Sequence, residues 1–220
     1  MIWQKSNRAD PRAREIADRH YNRQKPGTPQ FVPPGRCLVL YAETQTGKAL
    51  WVTSWPYAQY VKHQWAGAWM CSAFRNEGAG IASELIREAV AATRAFYGNP
   101  PELGMVTFID PRKVKPTMTH GTPTWGRTYE LAGFEHVGKT KGGLLAMQLR
   151  PEKMPPPAYA HGDEIWLPDF RERGAVINVK SVTDTKGQEY WLRTQHSWKI
   201  KGGTHGQQNS AQHNFQQGLP

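Results

Sequence analysis

Between residues 66 and 97 a strand pattern runs into Arg75-Asn76-Glu77-Gly78-Ala79-Gly80 and then into an amphipathic helix, and this join restricts the fold more than any other feature. Alternation of Trp69, Cys71 and Ala73 against Met70, Ser72 and Phe74 predicts a strand over 66–74. Over 80–97, Ile81, Leu85, Ala89 and Ala92 recur near helical spacing among Glu84, Arg87, Glu88 and Arg94, and Gly98 and Pro100 stop the helix. A glycine-rich turn between a strand and a helix exposes backbone N–H groups beside the positive end of the helix dipole, which suits a pyrophosphate. Taken alone it is weak evidence, because turn glycines often serve only the backbone.

The flanking segments read as a mixed α/β layer structure. Asp10 followed by Pro11 predicts a helix over 11–23, with Asp10 as N-cap and with His20 and Tyr21 near its end. Four prolines and two glycines make 25–35 a loop. Residues 36–43 and 50–55 form a hairpin pattern across Thr46-Gly47, closed by Pro56. The apolar run 105–109 reads as a buried strand that delivers Asp110 at its end. A second short helix is expected over 124–132, before Gly133-Phe134, and a closing pair of strands over 136–139 and 144–149. The order strand, helix, strand, helix, strand predicts the α/β class, a mixed sheet flanked by helices.

This first domain is expected to span 1–150 of the 220 residues. Four prolines in 151–157 read as a stiff linker. Short strand patterns at 164–170, 175–183, 189–194 and 197–201 place a small β-barrel-like module at 158–201, whose opening His161-Gly162-Asp163-Glu164-Ile165-Trp166 resembles the first strand of SH3-like barrels. The Gln/Asn-rich remainder, 202–220, is expected to be disordered.

Charge points to a polyanionic partner, or more plainly to solubility: 28 basic against 18 acidic side chains leave a net +10. Arg112, Lys113 and Lys115, and in the C-terminal part Arg171, Arg173, Lys180, Lys199 and Lys201, could track phosphates, although each alone reads as a solvated face. Nine tryptophans and eight tyrosines include cation-flanked runs, Lys62-His63-Gln64-Trp65 and Tyr190-Trp191-Leu192-Arg193; such aromatics stack on bases, but more often they build a core. Cys37 and Cys71 have no paired spacing, which argues against a disulfide framework or a thiolate zinc site and fits a reducing cytoplasm. Neither a signal-peptide pattern nor a membrane-span window is found, so no membrane partner is expected.

The pattern Arg75-x-x-Gly78-x-Gly80 after a strand and before a helix resembles the cofactor motif of the GNAT acyltransferase superfamily. Tyr129-Glu130-Leu131-Ala132-Gly133-Phe134 resembles that superfamily's later helix, where a tyrosine precedes Gly-Phe by four positions. The resemblance covers 36–149 and implies acetyl-CoA or a related acyl-CoA as cofactor. Arg75, Asn76, Gly78, Ala79 and Gly80 would then hold it, and Tyr129 would stand near its sulfur as a general acid. A narrower resemblance, to the phage Mom proteins, rests on His20-Tyr21, on Lys25-Pro26-Gly27-Thr28-Pro29-Gln30-Phe31, on the stretch Phe74 to Gly78 and on Ile109-Asp110-Pro111-Arg112-Lys113-Val114. It implies modification of adenine N6 in double-stranded DNA as protection against restriction, in the host cytoplasm, with His20, Tyr21 and Asp110 at the active site.

Each of these residues also has a plainer use. His20 can end a helix and Tyr21 can pack on a sheet; Asp110 before Pro111 can form a turn; Arg75 can be a surface charge. His20 and Asp110 together would suit iron or another divalent ion, but two ligands do not define a site. A cysteine nucleophile is not expected, since a strand cysteine usually acts as a small hydrophobe. The loop 25–34 could help hold a base drawn out of the stack. The competing expectations are an N-acetyltransferase for a protein or small amine, and a nucleic-acid-binding protein without catalysis.

Overall fold

The computed structural model describes residues 1–32, 36–56, 61 and 63–160, and beyond these the backbone of four short strands. The chain divides into two compact units, Met1–Ala160 and His161–Pro220. The first is a mixed α/β unit. In chain order it comprises β1 (Gln4–Ser6), α1 (Pro11–Asp18), β2 (Cys37–Glu43), β3 (Lys48–Ser54), β4 (Trp69–Glu77), α2 (Ala82–Tyr97), β5 (Met105–Ile109), β6 (Thr117–Thr119), β7 (Thr122–Thr124), α3 (Arg127–Leu131), β8 (Glu135–Lys139) and β9 (Leu145–Leu149). Seven strands form one sheet in the order β1-β2-β3-β4-β5-β9-β8, while β6 and β7 pair separately.

Every neighbouring pair in the large sheet is antiparallel except β4 and β5. A parallel pair needs a crossover, and α2 supplies it. The buried stripe of α2, with Leu85, Ile86, Ala89, Val90 and Ala92, packs with Trp3, Trp51, Trp69 and Met147 in the main core. On the opposite face Ala13, Ile16 and Ala17 of α1 meet Val39, Tyr41, Leu50 and Val52. Residues alternate between these two cores along β2 and β3, as a two-sided sheet requires.

In β4 the alternation changes phase. Val52 pairs with Ala73 and Thr53 with Cys71, which leaves Ser72 as a bulge residue. Trp69 and Cys71 lie in the main core, yet after the bulge it is Phe74 that packs there and Ala73 that packs on the α1 side. The even alternation expected across 69–74 therefore fails at Ser72, because one extra residue swaps the faces of everything after it.

Helix α1 is shorter than expected. Asp10 caps it through Arg12 N and Pro11 opens it, but it ends at Asp18, so His20 and Tyr21 lie beyond it. The Asp18 carboxylate accepts from Arg23 Nε (2.7 Å) and Gly27 N (2.9 Å), and these bonds fold the chain back. Helix α3 starts at Arg127 rather than 124, since Thr122–Thr124 is a strand of the β6–β7 hairpin. Neither that hairpin nor β1 was expected.

Residues 151–157, expected as a linker, are packed on the first unit. Pro151–Lys153 is a 3-10 turn, Arg94 donates to the carbonyls of Met154 and Pro155, and Ala158 N donates to Ala91 O. Met154 and Ala160 are buried in the main core, so the compact unit runs ten residues past the expected boundary. Within the second unit, β10 (Val176–Ile177), β11 (Ser181–Thr183), β12 (Glu189–Thr194) and β13 (Ser197–Ile200) form an antiparallel meander. The expected strand at 175–183 is two strands here. The expected strand at 164–170, the expected disorder of 202–220 and the side chains of Arg171, Arg173, Lys180, Lys199 and Lys201 lie outside the described residues.

One backbone contact fixes the end of β4. A Cβ on Gly47 would lie 1.9 Å from the Glu77 carbonyl oxygen, and one on Gly78 would lie 2.9 Å from the Thr46 carbonyl oxygen. The turn after β2 and the end of β4 are thus packed backbone on backbone, with Thr46 Oγ1 donating to Gly78 O at 2.7 Å. Gly47→Ala is expected to cost about 3 kcal/mol, because neither backbone can yield as a side chain would. Urea unfolding checks this; a loss below about 0.5 kcal/mol, ordinary for a surface site, would show the contact to be soft.

Candidate functional site

β4 and β5 pair for only three positions, Trp69 with Met105, Met70 with Val106 and Cys71 with Thr107. Beyond Cys71, β4 stays with β3, while β5 stays with β9 along its whole length. The two parallel strands separate at their C-terminal ends, the position where open α/β sheets leave a crevice. A cavity of about 200 Å³ fills the gap; among its lining residues are His20, Tyr21, Ser72, Phe74, Thr107 and Tyr129. Two larger cavities adjoin it, and Ser72 lines all three.

Tyr129 stands over the last paired rung. Its hydroxyl is 3.7 Å from Cys71 Sγ, and its ring meets Phe74 edge-on at 6.3 Å and Phe134 at 5.3 Å. Burial first, and the Cys71 thiol beside it second, raise the Tyr129 pKa well above its ordinary value, so the phenol keeps its proton. Burial also pushes Cys71 up to about 12, so at neutral pH it is a thiol and not a nucleophile.

His20, Tyr21 and Tyr129 share the 200 Å³ cavity, so three of the four expected catalytic side chains come together. His20, 9% exposed, stacks on Tyr21 with ring centroids 4.6 Å apart. Its Nδ1 lies 2.8 Å from Asn22 Oδ1, and the Phe74 carbonyl also faces the ring; both favour a second proton. Burial opposes it and prevails, so the His20 pKa is lowered and the ring is neutral near pH 7. The Tyr21 hydroxyl donates to Phe108 O at 3.2 Å, on the β5 side of the gap.

Asp110 does not line that cavity. It shares with Tyr21 a neighbouring one of about 390 Å³. Its carboxylate accepts from Arg112 N (3.1 Å), Nε (2.8 Å) and Nη2 (3.0 Å), and those bonds with Arg112 hold its pKa down. A turn explains every one of these contacts. Among the described residues no group of three or more His, Cys, Asp or Glu gathers that could hold a metal ion, and His20 and Asp110 share no bond.

The turn after β4 is braced from within. Asn76 accepts from Ala79 N at 2.9 Å and donates to Gly80 O at 2.8 Å, while Arg75 donates to Glu77 and to the carbonyl of Arg19. Glu77, gripped first by Arg19 and then by Arg75, has its pKa lowered to about 2. Gly78 is accounted for by the approach of Thr46. Gly80 is different: at φ +155° a Cβ there would touch nothing nearer than Leu85 at 3.9 Å. Helix α2 begins with Ile81 as N-cap and without a side-chain cap, so the amides of Gly80 to Ser83 have no acceptor among the described residues. These are the groups an anionic cofactor would need. None of Arg75, Asn76, Gly78, Ala79 or Gly80 lines the three cavities.

Sequence reasoning missed Ser72, Asn22 and Thr107; Lys115, expected as a phosphate contact, also lines the 200 Å³ cavity. Ser72 binds Asn22 Nδ2 through its carbonyl and Ser54 Oγ through its hydroxyl; Thr107 Oγ1 donates to Cys71 O. Only the polar interruption Cys71-Ser72 in an otherwise apolar strand hinted at them. No family model, no curated protein and no solved structure matches the chain.

With its thiol raised from 9.0 to about 12, Cys71 should react with iodoacetamide about a thousand-fold more slowly than free cysteine at pH 8 in the native protein. Mass mapping of the labelled peptides measures this. Labelling at the rate of unfolded protein would mean that Cys71 is neither buried nor protonated as described.

Proposed function

We propose that the chain is a GNAT-type transferase that passes a group from an acyl-CoA to the N6 amine of adenine in DNA. One observation carries the reading: the residue next to the first motif and the tyrosine of the second, far apart in sequence, border one opening. Phe74, which precedes Arg75, and Tyr129, which precedes Gly133-Phe134, line the same 200 Å³ cavity with their rings 6.3 Å apart.

The free amides at the start of α2 fit a pyrophosphate, and the missing side chain at Gly80 leaves room for it. An acyl-CoA bound there supplies an activated thioester. Tyr129 holds a proton on its phenol oxygen throughout the neutral range and can give it to a leaving anion. His20 is the neutral base of the same cavity. It takes the proton of the amine on its uncharged imidazole, whose ring Asn22 orients through Nδ1. Tyr21 holds the His20 ring by stacking, and Asp110 holds the turn that follows β5.

For the acceptor, a cavity of about 410 Å³ opens beside His20 and is lined in part by Asn22, Gln24, Lys25, Thr28, Gln30 and Phe31. Amide side chains offer donors and acceptors to a base edge, and an aromatic ring offers a stacking face. The net charge of +10 favours a nucleic acid over a cationic or neutral acceptor. A duplex adenine reaches such a cavity only by leaving the stack.

Nucleoside mass analysis of DNA from cells making the protein should reveal a new adenine mass; acetyl-CoA turnover on small amines without it would favour the plain N-acetyltransferase. Gly80→Trp should abolish acyl-CoA binding in a folded protein. His20→Ala and Tyr129→Phe should each slow modification about 100-fold. Since the His20 pKa is depressed, its base form survives until the pH drops beneath the ordinary histidine value of 6.5, so the acid limb of kcat/KM should lie below 6.5. A limb above that value would remove His20 from the reaction.

A further inference from the structure

Residues 111–129, from the end of β5 to the middle of α3, contain no aspartate or glutamate but include Arg112, Lys113, Lys115 and Arg127. The flanking acids are spent on two of these, Asp110 on Arg112 and Glu130 on Arg127. Lys113 and Lys115 form no salt bridge among the described residues. The middle of this basic stretch is the β6–β7 hairpin. Thr117 pairs with Thr124, Met118 with Pro123 and Thr119 with Thr122, across a two-residue turn in which His120 (φ 49°) and Gly121 (φ 78°) both take positive φ. That turn type matches the strand twist and gives a tight hairpin.

Its root is fixed and its tip is bare. Val114 and Trp125 pack on the main core, and Trp125 Nε1 donates to Val114 O at 2.9 Å. Val114, Lys115, Thr117 and Thr124 line the 200 Å³ cavity. Above them Met118 is 64% exposed, opposite an exposed Pro123. An apolar pair held in water midway along a hairpin gains nothing for the fold, and the cations beside it repel one another. Both costs are offset if the partner is a polyanion with an apolar interior.

We infer that the β6–β7 hairpin is a DNA wedge, with Lys113 and Lys115 on backbone phosphates and the exposed Met118–Pro123 pair, one rung below the turn, filling the gap in the stack left by an extruded base. Met and Pro are among the side chains that enter base steps in this way. The hairpin root borders the cavity that would receive the extruded base, so insertion and capture occur within one structural element. This inference rests on the DNA reading above. The competing occupant of the lysines is the cofactor's own phosphate.

The test compares binding of the full chain to a short intact duplex and to the same duplex with an abasic site, over a range of salt, with coenzyme A binding measured in parallel. Wild type should prefer the abasic duplex about ten-fold, because the hole is already open. Met118→Ala should bring that ratio close to one while thermal unfolding and coenzyme A affinity stay unchanged. The double variant Lys113→Gln, Lys115→Gln should lower the slope of log K against log salt by about two. The proposal is overturned by a wild-type ratio near one, by a Met118→Ala ratio equal to wild type, or by lysine variants that lose coenzyme A affinity while the salt slope is kept. Adenine modification is read separately by mass: modification without the abasic preference removes only the wedge, and the preference without modification removes only the transfer reading.

Discussion

The separation of β4 from β5 after three paired positions governs the rest of the first unit. Two parallel strands that paired to their ends would close the sheet, and no cavity could form between them. The bulge at Ser72 keeps the second half of β4 bound to β3 while β5 follows β9. It also turns Phe74 towards Tyr129 and Ala73 towards the α1 side. One extra residue thus opens the gap, sets which ring faces it and leaves a serine exposed to all three cavities.

An opening in a sheet leaves backbone polar groups short of partners, and those at this gap are met by side chains from other elements. Asn22 takes the Ser72 carbonyl, Tyr21 the Phe108 carbonyl, and Thr107 the Cys71 carbonyl. The segment after α1 is therefore a plug as well as a source of candidate catalytic groups. This explains why His20 and Tyr21 are ordered outside a helix: the Asp18 carboxylate folds the chain, and the carbonyls of the split sheet hold it in place.

Much of this was legible in the residues, and the failures have physical causes. Periodicity located β2, β3, β5, β9 and α2 because each buries a long apolar face. It failed at Ser72 because a bulge changes phase without changing composition. It missed the β6–β7 hairpin because Thr117–Thr124 buries no apolar face and is defined by its turn and by an anchor, Trp125, outside it. Proline count misled at 151–157, where the absence of N–H donors is compatible with a segment held through its carbonyls by Arg94. For the site, the resemblance proposed His20, Tyr21 and Tyr129, which the fold gathers on one cavity, and the turn reading of Asp110-Pro111 is the one Asp110 follows, facing Arg112.

The electrostatics of the gap divide it into two parts with opposite needs. Away from the cavities the Arg19–Glu77–Arg75 network fixes the end of β4 with charges that stay in contact with water, where ion pairs cost little desolvation. Inside, burial, which penalises the charged form, keeps His20 neutral at pH 7 and moves Tyr129 and Cys71 still further from ionising. A protonated phenol and an unprotonated imidazole on one cavity are a donor and an acceptor whose pKa values burial has driven apart. Such a pair can move one proton in and one proton out without holding a net charge in the low-dielectric gap, which a carboxylate there could not do without its counterion. That is the physical argument behind proposing His20 and Tyr129 rather than Asp110 for proton transfer, since Asp110, paired with Arg112, shapes the turn that follows β5.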